Sequence, residues 1–169
     1  MSIRLVSLPS SPLRPADEVA ALLVERLGLE AVVSHDEAAA VVPAARLGAI
    51  ARALRDDETL AFDYLSCLSA VDYVQHFEIV YHLYSTTLRQ KAALKVRLVE
   101  PDLTVASVAG IWRGADWHER EAADLFGIAF DGHPELRRLL LPDEFEGFPL
   151  RKSYPLAPFP TEDVEEGDG

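Results

Sequence analysis

Residues 77–99, FEIVYHLYSTTLRQKAALKVRLV, decide the fold. Phe77, Ile79, Tyr81 and Leu83 alternate with Glu78, Val80, His82 and Tyr84, the period of two that places one set of side chains on each face of a strand. Ala92, Leu94, Val96 and Leu98 repeat the pattern, with Lys95 and Arg97 turned outward. The polar link STTLRQK is short enough to join the two runs as an antiparallel hairpin. An antiparallel pair with one apolar face needs helices to cover that face.

The flanking sequence supplies them. RPADEVAALLVERLG predicts a helix: Pro15 suits its first turn, Asp17 and Glu18 favour the positive end of the dipole, and Gly28 suits its stop. Val19, Leu22, Leu23 and Leu27 form its apolar stripe. PAARLGAIARALRDD predicts a second helix through Leu47, Ile50, Ala51 and Leu54. Between them, Ala31–Val33 and Ala39–Val42 read as short strands around a polar turn. In FDYLSCLSAVDY the spacing of Tyr64, Cys67, Leu68 and Val71 predicts a short helix running into a strand near Val71. TVASVAGIW and ADWHEREAADLF, 104–112 and 115–126, are both expected to be helical, the second ending at Gly127. The expected class is α+β: a small mixed or antiparallel sheet with a central hairpin, packed helices and an extended C-terminal arm.

A chain of 169 residues, 49% apolar and 26% charged, suffices for one domain burying roughly 70% of its extended-chain surface. We divide it into a single domain over 1–141, a proline- and aromatic-rich arm over 142–160 and an acidic, disordered tail over 161–169. Pro142, Pro149, Pro155, Pro158 and Pro160 exclude regular helix from the arm, while Phe145, Phe148, Tyr154 and Phe159 require a surface to bury against. A net charge of −12 argues against nucleic acid, and the body stays acidic even without the five carboxylates of the last eight residues. Cys67 stands alone, so neither an internal disulfide nor a cysteine-held cluster is expected, and it reads as a buried, inert thiol. No apolar run reaches the roughly 20 residues of a membrane span, and the N-terminus lacks a secretory h-region, so a cytoplasmic chain is expected.

The chemistry concentrates in WHEREAADLFG. A zincin helix would need His-Glu-x-x-His, but Ala122 occupies the second histidine position, and no hydrolase, Walker or dinucleotide motif occurs elsewhere. A mononuclear hydrolase site on His118, Glu119, Glu121 and His133 is the rival reading. His82 is expected to pack or hydrogen-bond, with His35 and His76 in turns. On a helix, Glu119 shares a face with Ala122, Ala123 and Phe126, Glu121 falls over Leu125, and Arg120 and Asp124 stand one turn apart, where they can pair. An inward carboxylate needs cations. His133, Arg137 and Arg138 in HPELRRLLLP, and Arg151 and Lys152 in PLRKSYP, are the expected partners of a buried or interfacial ion-pair network that fixes the arm.

The run WHEREAADLFGIAFDGHPELRRLLLPDEFEGFPLRKSYPL resembles the C-subunit family of the proton-pumping NADH:quinone oxidoreductase, respiratory complex I. The matching positions are Glu119-Arg120-Glu121, Asp124-Leu125-Phe126-Gly127, Gly132-His133-Pro134, Leu136-Arg137-Arg138, Pro149-Leu150-Arg151-Lys152 and Tyr154-Pro155. LSAVDY, FEIVYHLYS and LKVRL extend the likeness upstream, so that it covers roughly 60–156. Ala122 and Ala123 depart from the bulkier residues common there.

The resemblance implies a peripheral-arm subunit with no catalytic, cofactor-binding or metal-binding residues of its own. FMN and iron–sulfur clusters would sit on partner subunits. The D subunit of the complex would be the main partner, with the B subunit nearby, and the chain would be separate rather than fused to the D subunit. Attachment to the cytoplasmic side of the inner membrane would be peripheral, through the complex. Glu119, Arg120, Glu121, Asp124, His133, Arg137, Arg138, Arg151, Lys152 and Tyr154 would form the interface and ion-pair network. Equivalent subunits in related membrane-bound hydrogenases and dehydrogenases are the nearest alternative.

Overall fold

The computed structural model describes residues 12–155; 1–11, 156–160 and the acidic stretch 161–169 lie outside the described residues. The expected hairpin is present as β4 (Phe77–Ser85) and β5 (Gln90–Leu98), paired antiparallel from Phe77↔Leu98 to Ser85↔Gln90. Its inward residues Phe77, Ile79, Tyr81, Leu83, Ala92, Leu94, Val96 and Leu98 are buried in the core. Helix α1 (Ala16–Leu27) ends at Gly28, whose φ of 60° is the left-handed conformation that closes a helix without a Cβ clash. Strands β1 (Ala31–Ser34) and β2 (Glu37–Val41) follow, turning through His35 and Asp36. A 3-10 turn at Ala44–Arg46 leads into α2 (Leu47–Asp56), with Leu47, Ile50, Ala51 and Leu54 buried.

The sheet has the order β1-β2-β5-β4-β3, with β3 spanning Tyr64–Asp72. It is mixed, because β2 runs parallel to β5 while every other pair is antiparallel. Helix α1 crosses β1, β2 and β5, and α3 (Ala115–Phe126) packs on β3. Apolar residues of α1, α2 and α3 join one continuous core with the inner sheet face. A small parallel pair, β6 (Thr104–Ala106) with β7 (Ala129–Asp131), brackets α3 in sequence.

Two expected helices are absent. Residues 64–72 are strand throughout, because a bulge lies between Leu65 and Cys67. Leu65 pairs with Leu83 and Cys67 with His82, so three positions on β3 oppose two on β4. That inserted residue breaks the period of two, and the helical set of Tyr64, Cys67, Leu68 and Val71 shares no buried face, since Leu68 is buried while Tyr64 and Val71 are exposed. It also puts Cys67 opposite His82, on the outward face, where the thiol is half-buried rather than buried. Residues 104–112 form β6 and tight turns, not a helix. Ser107 Oγ accepts the Ala109 amide and Glu119 takes the Val108 amide, so side chains capture the donors a helix would use.

Candidate interface site

Helix α3 ends at Gly127, which adopts φ 71° and donates its N–H to Ala123. From there the chain forms β7 and then runs without regular structure from Gly132 to Pro155. An irregular segment leaves backbone donors and acceptors without ladder partners. The polar residues of the site answer that need.

Glu119 is fully buried. Its Oε2 accepts from Ser107 Oγ at 2.6 Å and its Oε1 from the Val108 amide at 2.7 Å. Of the five expected cationic partners, His133 alone approaches it, with Nε2 at 3.9 Å. The His133 imidazole is itself enclosed; Nδ1 accepts the Glu135 amide at 3.0 Å, so the proton sits on Nε2, facing the Asp116 carbonyl at 3.2 Å and Asp116 Oδ1 at 3.4 Å. Burial pushes the Glu119 carboxyl above its ordinary range; the Ser107 hydroxyl, the Val108 amide and His133 oppose this, and Asp116 adds to it. The same enclosure, with Glu119 nearby, pushes the Tyr81 phenol well up.

Arg120 and Asp124 do not pair with each other, and neither lies on the surface. Arg120 donates through Nε to the Arg137 carbonyl and through Nη2 to the Arg138 carbonyl, both at 3.1 Å, with its guanidinium 5.4 Å from the Trp117 ring centre. One turn on, Asp124 Oδ2 accepts three consecutive amides: Leu139 at 3.1 Å, Leu140 at 2.8 Å and Leu141 at 2.9 Å. Burial works against the charged form of Asp124, yet those amides and Arg138 outweigh it and hold the carboxyl below its usual range. The two side chains therefore grip opposite polarities of one strip of main chain, 137–141.

The basic residues downstream act in the same way. Arg138 donates to the carbonyls of Pro142 and Phe145, each at 2.9 Å. Arg151 Nε caps α3 through the Phe126 carbonyl at 2.7 Å, its Nη1 meets Glu100 at 2.9 Å, and the guanidinium lies 4.6 Å over Phe148 and 5.3 Å over Phe77. The Lys152 main-chain amide, rather than its ammonium, is anchored, to Asp72 Oδ2 at 2.7 Å. Burial raises the Asp72 carboxyl, but the Lys152 and Val74 amides, with the charges of Lys152 and Arg151, bring it below its usual range. Tyr154 covers Gly147, where a Cβ would lie 2.8 Å from the Tyr154 ring at a φ of 86°, stacks 6.1 Å from Phe145 and donates to the Glu146 carbonyl. Arg137 pairs with Glu135 on the surface at 3.3 Å, and Glu121 is exposed.

Instead of pairing mainly with one another, Arg120, Asp124 and Arg138 grip the main chain of 137–145, while His133 stays beside Glu119 and Asp116 and Arg151 pairs with Glu100. Ser107, Asp72, Asp116 and Glu100 were missed by sequence reasoning. Asp72 alone carried a local signal, an acidic residue at a strand end before a turn. The rival hydrolase cluster does not assemble: Glu119 and His133 share a buried pocket, while His118 and Glu121 line a groove against β3 beside Leu150. Among the described residues, no three His, Cys, Asp or Glu side chains stand close enough to share a metal. No described helix is long and apolar enough to cross a membrane.

The site thus lies in a small α+β domain whose buried charges hold the irregular segment that follows α3. Residues 40–160 match the family described as respiratory-chain NADH dehydrogenase, 30 Kd subunit. The chain belongs to that family. It is 50% identical over 114 residues to the NADH-quinone oxidoreductase C subunit of Roseiflexus sp. (strain RS-1), covering 66% of each chain. It is 45% identical over 136 residues to the NADH-quinone oxidoreductase C 2 subunit of Rhizobium meliloti (strain 1021), covering 79% of this chain and 72% of that one. Among solved structures, a trypsin-resistant fragment (1-134) of Nqo5 superposes at a TM-score of 0.60, with 25% identity over 72% of this chain and 99% of the fragment. A chain of the membrane-bound sulfane sulfur reductase, an archaeal respiratory membrane complex, superposes at 0.71, with 26% identity over 83% of this chain and 85% of that one.

Proposed function

We infer that this chain is a non-catalytic, peripheral-arm subunit of a proton-translocating NADH:quinone oxidoreductase, scaffolding assembly against the D subunit with the B subunit nearby. The observation that carries this reading is where the polar groups go. Arg120, Asp124, Arg138 and Arg151 are committed to the main chain of 126–145, while Trp117, Leu136 and Leu140 stay exposed along the same flank, Trp117 at 63%. Fixed polar grips beneath a rim of large apolar side chains suit a docking surface, where aromatic and aliphatic anchors carry the binding energy. FMN and iron–sulfur clusters belong to partner subunits in this reading. The chain is held peripherally at the cytoplasmic side of the inner membrane through those partners.

A second reading, the equivalent subunit of a related membrane-bound complex, is favoured by the likeness to the archaeal sulfane sulfur reductase chain. Co-purification separates them. A tagged full chain in its native host should bring down the D and B subunits together with NADH-oxidising flavoprotein. Recovery with a hydrogenase- or reductase-type set supports the second reading, and recovery as a lone monomer contradicts both. Stoichiometric zinc or iron in the pure chain would revive the hydrolase.

A further inference from the structure

Arg120 is a buried cation that the fold hydrogen-bonds without neutralising. It is 8% exposed, and the two acceptors it holds, the Arg137 and Arg138 carbonyls, are uncharged. Among the described residues no carboxylate lies within ion-pair distance of it. A cation taken out of water is costly unless an anion faces it. Its Nη1 makes no hydrogen bond among the described residues and is not sealed from solvent, so one edge of the guanidinium stays open.

Arg120 lines an open cleft of about 270 Å³ between the end of α3 and the gripped strip, with Arg137, Arg138, Ile128, Leu136 and Phe148. Two of the three arginines have an anion nearby, Arg137 with Glu135 and Arg138 with Asp124. Arg120 has none, which leaves a positive spot in a chain of net charge −12. The Trp117 ring lies 5.4 Å from the Arg120 guanidinium and is 63% exposed, so the cleft adjoins the flank that carries Leu136 and Leu140.

We propose that the cleft receives the carboxylate of an Asp or Glu side chain presented by a partner subunit, which closes an ion pair on Arg120. This rests on the reading above in which that flank is a docking surface. Charge complementarity sets the sign of the occupant. Ile128, Leu136 and Phe148 give the cleft an apolar wall suited to a methylene stem, and Asp124, also in the wall, disfavours a dianion such as phosphate.

The test begins with the full-length chain alone. In an NMR titration at constant ionic strength, acetate is expected to shift the amides of 136–138 and the Arg120 Nε–H. It should bind about tenfold more tightly than acetamide, the neutral molecule of the same shape. Equal responses to the two, or acetate shifts spread alike over other arginines, overturn the site. Tighter acetate binding after removal of 161–169 overturns the partner as occupant and assigns the cleft to the chain's own acidic tail. The second arm is run in the native host. Ala123→Glu sets a carboxylate in the cleft wall one turn from Arg120, and Ala123→Gln sets the same shape there without the charge. A tagged Ala123→Glu chain should retain about tenfold less of its partner subunits than Ala123→Gln. Equal recovery by the two variants, with wild type retaining its partners, overturns the proposal and leaves the family role standing. Recovery of wild type as a lone monomer overturns the docking surface on which the proposal rests.

Discussion

The β4–β5 hairpin and the strip from Gly132 to Lys152 are stabilised by opposite means. The hairpin satisfies its main chain by pairing strand with strand, which leaves its side chains free to alternate between core and solvent. The strip has no regular pairing, so Arg120, Asp124, Arg138, Arg151 and Asp72 provide its hydrogen-bond partners from the side. Stability in the first region scales with apolar area. In the second it depends on a few charged groups keeping one geometry, so that region responds to pH and to single substitutions with little change in buried area.

Breaking the hairpin should give the largest loss. Leu94→Ala empties a fully buried position opposite Tyr81 and should destabilise the whole domain by about 2–5 kcal/mol in chemical denaturation. Gly127→Ala comes next. Its Cβ would lie 2.5 Å from Phe148 Cζ and 2.8 Å from Arg151 Nη2, at a φ of 71°. It should cost about 1–3 kcal/mol and expose Phe148, while amides of β4 and β5 keep their rank as the slowest to exchange.

Acid sharpens the contrast. Asp72 and Asp124 have folded pKa values below their unfolded ones, so each stabilises the fold above the unfolded value, near pH 4, and loses that contribution as pH falls through the folded one. Glu119 has the opposite sign: its pKa is raised, so its contribution is greatest below the unfolded value and declines as pH rises through the folded one. On acidification below about pH 4, amides 139–141 and 152 should therefore lose protection before the hairpin does, and Asp124→Asn should reproduce the loss at 139–141 at neutral pH. The smallest effect belongs to Arg137→Ala, which removes a surface pair whose partners are 69% and 62% exposed and should shift stability by no more than about 0.5 kcal/mol.

The same division explains what the sequence made legible. Alternation in 77–99, the stripes of α1 and α2 and the glycine stop at Gly127 all report local period or local backbone need, and each appears where expected. The inward turn of Glu119 was legible from its helical face. The bulge at Leu65–Cys67 was not, because one inserted residue interrupts the alternation of β3, and exposed Tyr64 and Val71 completed an apparent helical stripe. Nor were the partners of Arg120 and Asp124. Complementary charge is visible in a sequence, whereas the unpaired carbonyls and amides of an irregular strip are identical at every residue and carry no letter. The parallel β2–β5 pairing was hidden for a related reason, since it joins segments far apart in sequence, Ala38 to Ala92 at its first pair.

On the proposed reading, the charged cluster on α3 positions polypeptide rather than performing a reaction. Glu119→Ala tests it most directly, because it strips the Ser107 hydroxyl, the Val108 amide and His133 of their shared acceptor without touching an exposed surface. In the native host, the amount of assembled complex and the NADH:quinone turnover per assembled complex should be measured together. The account predicts a clear fall in assembly with turnover per complex unchanged. Full assembly with lost turnover would contradict it.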